Sequence, residues 1–337
     1  MALCSNPVTA GRAASLVMVV TNNMSKFCSL APLVPYEHMT SPLDFSGEFD
    51  EPQPLEVEIG FGQGEVLVRK ALEHPQRNFI GIERHWERIF RTMKTVTRFQ
   101  SRRSGALRNV RILDVDAVFA LEYFFARESI DHLYVLFPCP WPKKKHIHHR
   151  LFSTEFLKLL NSRLKAGAAA QIVTDLRPYR EWILEQISET GFVCETEDIH
   201  PRFETKFERK WRLKGQTTFF EIRLRKISSV HAQEKEFIDV KSYRLGDFDP
   251  ARFAFEDHKG PVSVIFKDFM FDPQRQRAEV YVLVAEQHLT QHLRVWIIKK
   301  DNFWRVCKAE GQMFFPTPGI AQAIDLVYAA ATKTVQD

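Results

Sequence analysis

The pattern of apolar runs in this chain predicts an α/β fold, a mostly parallel sheet covered by helices, followed by a small C-terminal α+β extension. Three observations lead there. From Leu55 onward, short β-rich runs alternate with longer helical patterns, as expected for parallel strands joined by crossover helices. After Lys226 the pattern changes to a polar stretch, SSVHAQEKE, and then to closely spaced alternating runs. Finally, 337 residues with 45% hydrophobic content are enough to bury one large core and a second small one.

Taken in order, residues 1–50 read as a poorly ordered leader. The run AASLVMVV within it is far shorter than the roughly 20 apolar residues of a membrane span. It also lacks the charged lead and cleavage site of a secretion signal, and Met24 is an alternative start. No later run is long enough to cross a bilayer, so no membrane association is expected. Residues 51–227 hold the first domain, with strands expected at LEVEI (55–59), FIGIE (79–83), VRILD (110–114), DHLYVLF (131–137), AAAQIVT (168–174) and TTFFEIRLRK (217–226). Between them, Phe152, Phe156, Leu160 and Leu164 recur at every fourth position and predict a buried helical face. Pro178 suits a first helical turn and Gly191 a helix stop. Residues 228–337 form the extension, with strands expected at 262–270, 277–286, 293–299 and 303–308. Ile320, Ala323, Ile324 and Val327 predict a closing helix.

The formal net charge is +5, and it is unevenly placed. Residues 227–337 carry 14 Lys and Arg against 15 Asp and Glu, so the whole excess lies in the first two thirds, where a polyanionic partner would bind. The five cysteines, Cys4, Cys28, Cys139, Cys194 and Cys307, are widely spaced with no CxxC pair. That excludes a disulfide framework and a zinc site and fits a cytoplasmic protein.

The first chemical motif is EIGFGQGE, Glu58 to Glu65, where a strand turns into a helix. Gly60, Gly62 and Gly64 allow a sharp turn and close approach of backbone to a ligand. Their GxGxG spacing differs from the GxGxxG of a dinucleotide loop, and the acid Glu58 precedes them. A cationic ligand without phosphates suits this arrangement, and S-adenosylmethionine (SAM) carries a sulfonium and an α-amino group. Glu83, at the end of the next strand, is placed to accept from ribose hydroxyls, and Asp116, after the third strand, to contact an adenine edge. The three acids in this order predict a Rossmann-like SAM-binding domain.

Two further segments are basic. In RFETKFERKWRLKG, Arg202 to Gly215, Phe203, Phe207 and Trp211 fall four apart, as on one face of a helix whose other face is rich in Lys and Arg. In FPCPWPKKKHIHHR, Phe137 to Arg150, a cysteine between two prolines runs into three lysines and three histidines. The histidines His146, His148 and His149 have no accompanying carboxylate or cysteine set, so phosphate contact is the expected role and no metal is expected. Trp141 either stacks on a splayed base or buttresses the turn.

The segments EIGFGQG, FIGIERH, FPCPWPKKKH, TDLRPY and ETKFER resemble, in order and spacing, the tRNA (guanine-N7)-methyltransferase family of class I SAM-dependent enzymes. The resemblance covers about residues 55–226. It implies methyl transfer from SAM to N7 of a guanosine in tRNA, usually in the variable loop. It further implies that Glu58, Glu83 and Asp116 bind SAM in a pocket shaped by Gly60, Gly62 and Gly64. Lys143, Asp175 and the quartet Thr205, Lys206, Phe207 and Glu208 would hold the substrate, and the oligomeric state stays open.

One position departs from the family, whose usual motif is FPDPW with the aspartate credited with catalysis; here Cys139 takes its place. Guanine N7 carries a lone pair and no proton, so transfer needs positioning more than a general base. Asp175 and Glu208 are expected to share the task of orienting the base. Cys139 itself has three readings: a small packing residue at a strand end, a substrate contact, or a covalent nucleophile of the kind used for methylation at pyrimidine C5. A catalytically lapsed RNA-binding relative is the remaining alternative.

Overall fold

The computed structural model of the chain describes residues 16–17, 28–35, 41–103, 105–232 and 234–335. In chain order its main elements are β1 (Leu55–Ile59), α1 (Glu65–Glu73), β2 (Asn78–Glu83), α2 (Trp86–Arg102), β3 (Val110–Asp114), α3 (Ala117–Tyr123), β4 (Ile130–Leu136), α4 (Thr154–Arg163), β5 (Leu164–Thr174), α5 (Arg177–Glu185), β6 (Phe192–Ile199), α6 (Lys206–Arg212) and β7 (Phe219–Lys226). There follow β8 (Tyr243–Leu245), β9 (Ser263–Asp272), β10 (Arg277–Glu286), β11 (Leu289–Lys300), β12 (Phe303–Lys308) and α7 (Pro318–Lys333). They group into two units: one holds the described residues up to Val34 with Phe45–Ala117 and Glu128–Val230, the other Pro35–Asp44, Val118–Arg127 and the chain from His231.

The first unit is built on a seven-stranded sheet in the order β3-β2-β1-β4-β5-β7-β6. Pairing is parallel from β3 through β5, while β7 runs antiparallel to both β5 and β6. Every residue of β1 and β2 is buried, as expected of central strands covered on both faces. The buried Glu56 in this core is paired. Glu56 receives the Tyr134 hydroxyl at 2.6 Å and the Arg77 guanidinium at 2.5 Å. His132 packs beside Tyr134, and burial pushes its imidazole down to about 4. The strand order reverses between β1 and β4, and such a switch point opens a crevice at the strands' carboxyl ends.

Most of the leader reading of 1–50 falls on residues outside the described set, as does Met24. Within its described parts Cys28 and Val34 are buried, and Pro32 and Val34 exchange backbone hydrogen bonds with Ile112 at 2.7 and 3.0 Å. That covers the edge of β3, which otherwise has unpaired backbone groups.

Two local expectations differ from the structure, and one strand was not expected. The Phe152 to Leu164 face shortens to α4, which starts at Thr154 because Ser153 accepts the Phe156 N–H and caps it. Phe152 and Leu164 are buried but outside that helix. A strand, β6, occupies 192–199, which carries no apolar alternation; only Phe192 and Ile199 at its ends are buried. Gly191 does not end a helix; with φ at +73° it turns the chain into β6, and α5 has stopped at Glu185.

The second unit is a five-stranded antiparallel sheet in the order β8-β12-β11-β10-β9. One face, with Val280, Val282, Val284, Leu293, Val295, Ile297 and Val306, is buried with Ile320, Ala323, Ile324 and Val327 of α7. The predicted closing helix is therefore present, and it carries the apolar stripe its spacing implied. A second cluster in this unit stacks Phe119, Tyr123 and Phe124 of the 118–127 segment against Phe237 and Phe315.

Candidate active site

The site is assembled at the carboxyl ends of the parallel strands. At the end of β1, Gly60, Gly62 and Gly64 all take positive φ, between +59° and +72°, which a side chain would strain. Gly64 is also the residue before α1, and a Cβ there would meet the Thr92 side chain at 2.5 Å. The turn is thus held close to α2, and α1 packs its buried Leu67, Val68 and Ala71 in one core with Phe79, Val110 and Ile112.

Glu58 lies in β1 just before this turn and is 5% exposed. Its Oε2 has no hydrogen-bond partner among the described residues. Burial pushes its carboxyl up to about 8, against the pull of Lys70 and Arg69 on α1. A buried carboxylate oxygen without a partner costs free energy until a cation or donor reaches it.

Glu83, at the end of β2, is engaged on both oxygens. Oε2 accepts the Gly62 N–H and the Arg88 guanidinium, each at 3.2 Å, while Oε1 accepts the backbone N–H groups of Arg84 and His85 at 2.9 and 3.1 Å. It therefore ties the glycine turn to the start of α2. Asp116, two residues past β3, pairs with Arg84 at 3.3 Å. Beside them, burial and the charge of Glu83 raise the Asp114 carboxyl. The three expected SAM-side acids thus end three adjacent strands, in the order the sequence implied.

The segment after β4 is strained. Phe137 and Trp141, neither a glycine, have φ of +55° and +42°, so the Pro138-Cys139-Pro140 turn is bracketed by two left-handed residues. Arg150 holds it from behind, donating from Nε to the Pro140 carbonyl at 2.9 Å, with its guanidinium over the rings of Trp182 and Tyr179. Cys139 is exposed. The reading of Cys139 as a packed apolar residue therefore fails, because the left-handed residues turn it outward at the strand end. Lys143 precedes a short 3-10 helix, Lys144–His149, and the rings of His146 and His149 lie 5.7 and 4.9 Å from Trp141. No group of three His, Cys, Asp or Glu side chains among the described residues is arranged to hold a metal ion.

Asp175 follows β5, half-buried; burial raises its carboxyl and Lys210 of α6 draws it back down. Its backbone carbonyl accepts from the Gln216 side chain at 2.8 Å.

The quartet from Thr205 to Glu208 is a helix start. Thr205 Oγ1 accepts the Glu208 N–H and Glu208 Oε2 accepts the Thr205 N–H, both at 3.1 Å, which closes a capping box. Glu208 Oε1 takes the N–H groups of Arg202 and Phe203, and the residue is 1% exposed. The one-helix stripe also needs correction. The cap at Thr205 leaves Phe203 outside α6, where it is buried, while Phe207 is 40% exposed and stacks on Phe137 with ring centroids 6.0 Å apart.

Two residues that sequence reasoning did not single out join these pieces. Glu65, first in α1, accepts the Lys206 N–H at 2.8 Å and pairs with the Arg209 guanidinium. Arg69, one turn on, donates to the Phe203 carbonyl at 2.8 Å. The glycine turn, the FPCPW turn and α6 thus meet through Glu65, Arg69 and the Phe137–Phe207 stack.

The chain is similar in sequence to known proteins. The family described as "Putative methyltransferase" matches residues 52–221. A tRNA (guanine-N(7)-)-methyltransferase of Chlorobium phaeobacteroides is 49% identical over 172 residues, 51% of this chain and 81% of that protein. The protein of the same name from Thermotoga maritima is 36% identical over 190 residues, 56% of this chain and 59% of its own length. Among solved structures, an antibiotic related methyltransferase covers 53% of this chain and 89% of its own at 20% identity, with a TM-score of 0.41. The 16S rRNA methyltransferase KamB covers 54% and 90% at 16% identity, with a TM-score of 0.42. Given the family match over half of its length and the span of its Chlorobium relative, the chain belongs to the tRNA (guanine-N(7)-)-methyltransferase family.

Proposed function

We propose that this protein is a cytoplasmic enzyme that transfers a methyl group from SAM to N7 of a guanosine in tRNA, in the variable loop. The observation that carries the reading is the buried, unpartnered oxygen of Glu58 beside a turn of three left-handed glycines. That donor set fits a cationic ligand. Glu58 would hold the ammonium group, Glu83 the ribose hydroxyls and Asp116 the adenine edge, with Gly60, Gly62 and Gly64 admitting the ligand close to backbone. Bound there, SAM supplies an electrophilic methyl on a sulfonium.

The remaining groups act by placement. Guanine N7 has an in-plane lone pair and no proton to lose, so attack requires alignment and no base. Asp175 accepts from N1–H and the exocyclic amine of guanine, the pairing geometry carboxylates offer to base edges. Lys143, Lys206 and the exposed ring of Phe207 hold the nucleotide and its phosphate, and the Lys144 to His149 run adds backbone contacts whose strength falls with salt.

The test is transfer of labelled methyl from SAM to unmodified tRNA transcripts, with the product nucleoside identified by mass. Formation of 7-methylguanosine supports the reading. No label in RNA, with SAM and tRNA both bound, would instead support a lapsed RNA-binding relative.

A further inference from the structure

The face of the second unit's sheet that turns away from α7 carries a row of arginines. Register places Arg277 of β10 opposite Ile298 of β11, Ile298 opposite Arg305 of β12, and Arg305 opposite Arg244 of β8. At about 4.8 Å between neighbouring strands, the row spans about 14 Å. Arg244 and Arg305 are exposed and directly paired across the ladder, an arrangement that costs stability for like charges. Among the described residues no carboxylate lies within ion-pairing distance of Arg244, Arg277 or Arg305. Arg277 stands opposite Asp272 of β9 without an ion pair, Arg305 donates to Ser242 Oγ at 3.1 Å, and Arg244 lies over the Phe303 ring at 4.3 Å.

The next row on the same face runs Met270, Glu279, Trp296, Cys307, with one aromatic ring. Trp296 of β11 pairs across the ladder with Glu279, which accepts its indole N–H at 3.0 Å, and Arg277 lies over its ring at 4.4 Å. Tyr281 follows on β10, its hydroxyl 2.6 Å from His292 Nδ1. The polar edges of both rings are thereby fixed within the sheet. The extension as a whole has no basic excess, so the row is a local feature and not a consequence of composition.

Resting on the tRNA reading above, we infer that this face docks single-stranded RNA of the tRNA substrate, with phosphates along Arg277, Arg305 and Arg244 and an unstacked base against Trp296. An anionic strand relieves the repulsion between Arg244 and Arg305, and a sheet face with fixed aromatic rings is a platform on which bases stack.

The experiment compares the full chain with the triple variant Arg244→Gln, Arg277→Gln, Arg305→Gln and with Trp296→Ala, measuring affinity for an unmodified tRNA transcript across a salt series, SAM affinity and thermal midpoint. The triple variant should bind tRNA at least about tenfold more weakly, with the slope against log salt reduced by about 0.7 for each lost phosphate. Trp296→Ala should weaken binding roughly five- to a hundredfold with the slope unchanged. SAM affinity should stay the same, and the thermal midpoint of the triple variant should hold or rise. Unchanged tRNA binding in both variants, while the unsubstituted chain binds and methylates, would overturn this inference alone. A dimer of the unsubstituted chain that the triple variant dissociates would also overturn it, making the face a contact between copies. No tRNA binding by the unsubstituted chain would sink the proposed function as well.

Discussion

Glu65 accepts the backbone N–H of Lys206 at 2.8 Å, across 141 positions of the chain. The first residue after the glycine turn thereby fixes the first residue of α6, and its other oxygen pairs with Arg209 one turn on. The contact lies between the two halves of the proposed site: SAM on the glycine side, nucleotide on the α6 side.

Glu65→Ala should therefore separate the two substrates kinetically. SAM affinity should change less than about threefold, because Glu58, Glu83 and the glycines are untouched. The kcat/KM for tRNA should fall about tenfold or more, since small misplacements of a positioning element are costly. Glu65→Gln keeps an acceptor for the Lys206 N–H and should recover most of the loss. Steady-state kinetics against each substrate would decide; equal losses for SAM and tRNA would refute the division.

Glu208 and Asp175 were expected to share the orientation of the base. The structure separates them: Glu208 spends both oxygens on backbone N–H groups, whereas Asp175 has a half-buried carboxylate beside Lys210. Glu208→Ala leaves three backbone donors without their acceptor, at about 1–3 kcal/mol each where buried. It should lower the thermal midpoint by several degrees, and Glu208→Gln, still able to complete a capping box, by much less. Asp175→Ala should leave the midpoint nearly unchanged and reduce 7-methylguanosine formation roughly five- to a hundredfold. Calorimetry with product analysis on the same samples would show whether these effects swap.

Cys139 is exposed in a turn bracketed by two left-handed residues. If alignment carries the reaction, Cys139→Ala should keep activity within about tenfold of the unsubstituted chain, and Cys139→Asp should match or exceed it. A 5-methylpyrimidine product that disappears in Cys139→Ala would establish covalent catalysis and displace the N7 reading.

What was legible in the sequence follows physical lines. β1 to β4 were readable because strands buried along most of their length are mostly apolar, whereas β5 begins four residues before the expected Ala168 because its exposed start, Lys165 to Gly167, carries no apolar run. β6 was not readable: its middle residues, Cys194 to Asp198, are all exposed or half-buried, so burial imposed no alternation. The Phe203, Phe207 and Trp211 spacing suggested one helix because periodicity cannot see a cap; the Thr205–Glu208 box starts the helix after Phe203. The links that assemble the site, Glu65 to Lys206 and Arg150 to Pro140, join a charged side chain to a backbone group, and a backbone group leaves no residue-type signal.

Glu58 gives the last prediction, through pH. Its folded carboxyl is raised to about 8, against an ordinary value of 4.5. Between these values the folded chain keeps a proton that the unfolded chain has lost, so stability falls as pH rises across that window and is flat below and above it. Glu58→Gln removes the ionisable group at nearly constant shape. Its stability should equal that of the unsubstituted chain near pH 4.5 and exceed it at pH 8. SAM reverses the balance, because an ammonium beside Glu58 favours the carboxylate; binding near pH 7 should release a proton, seen calorimetrically as a dependence on buffer ionisation heat. In Glu58→Gln that proton should vanish and SAM affinity fall at least tenfold. Parallel stability profiles of the two proteins from pH 5 to 8 would mean that Glu58 is already ionised when buried, and the proton release expected on SAM binding would go with its raised carboxyl.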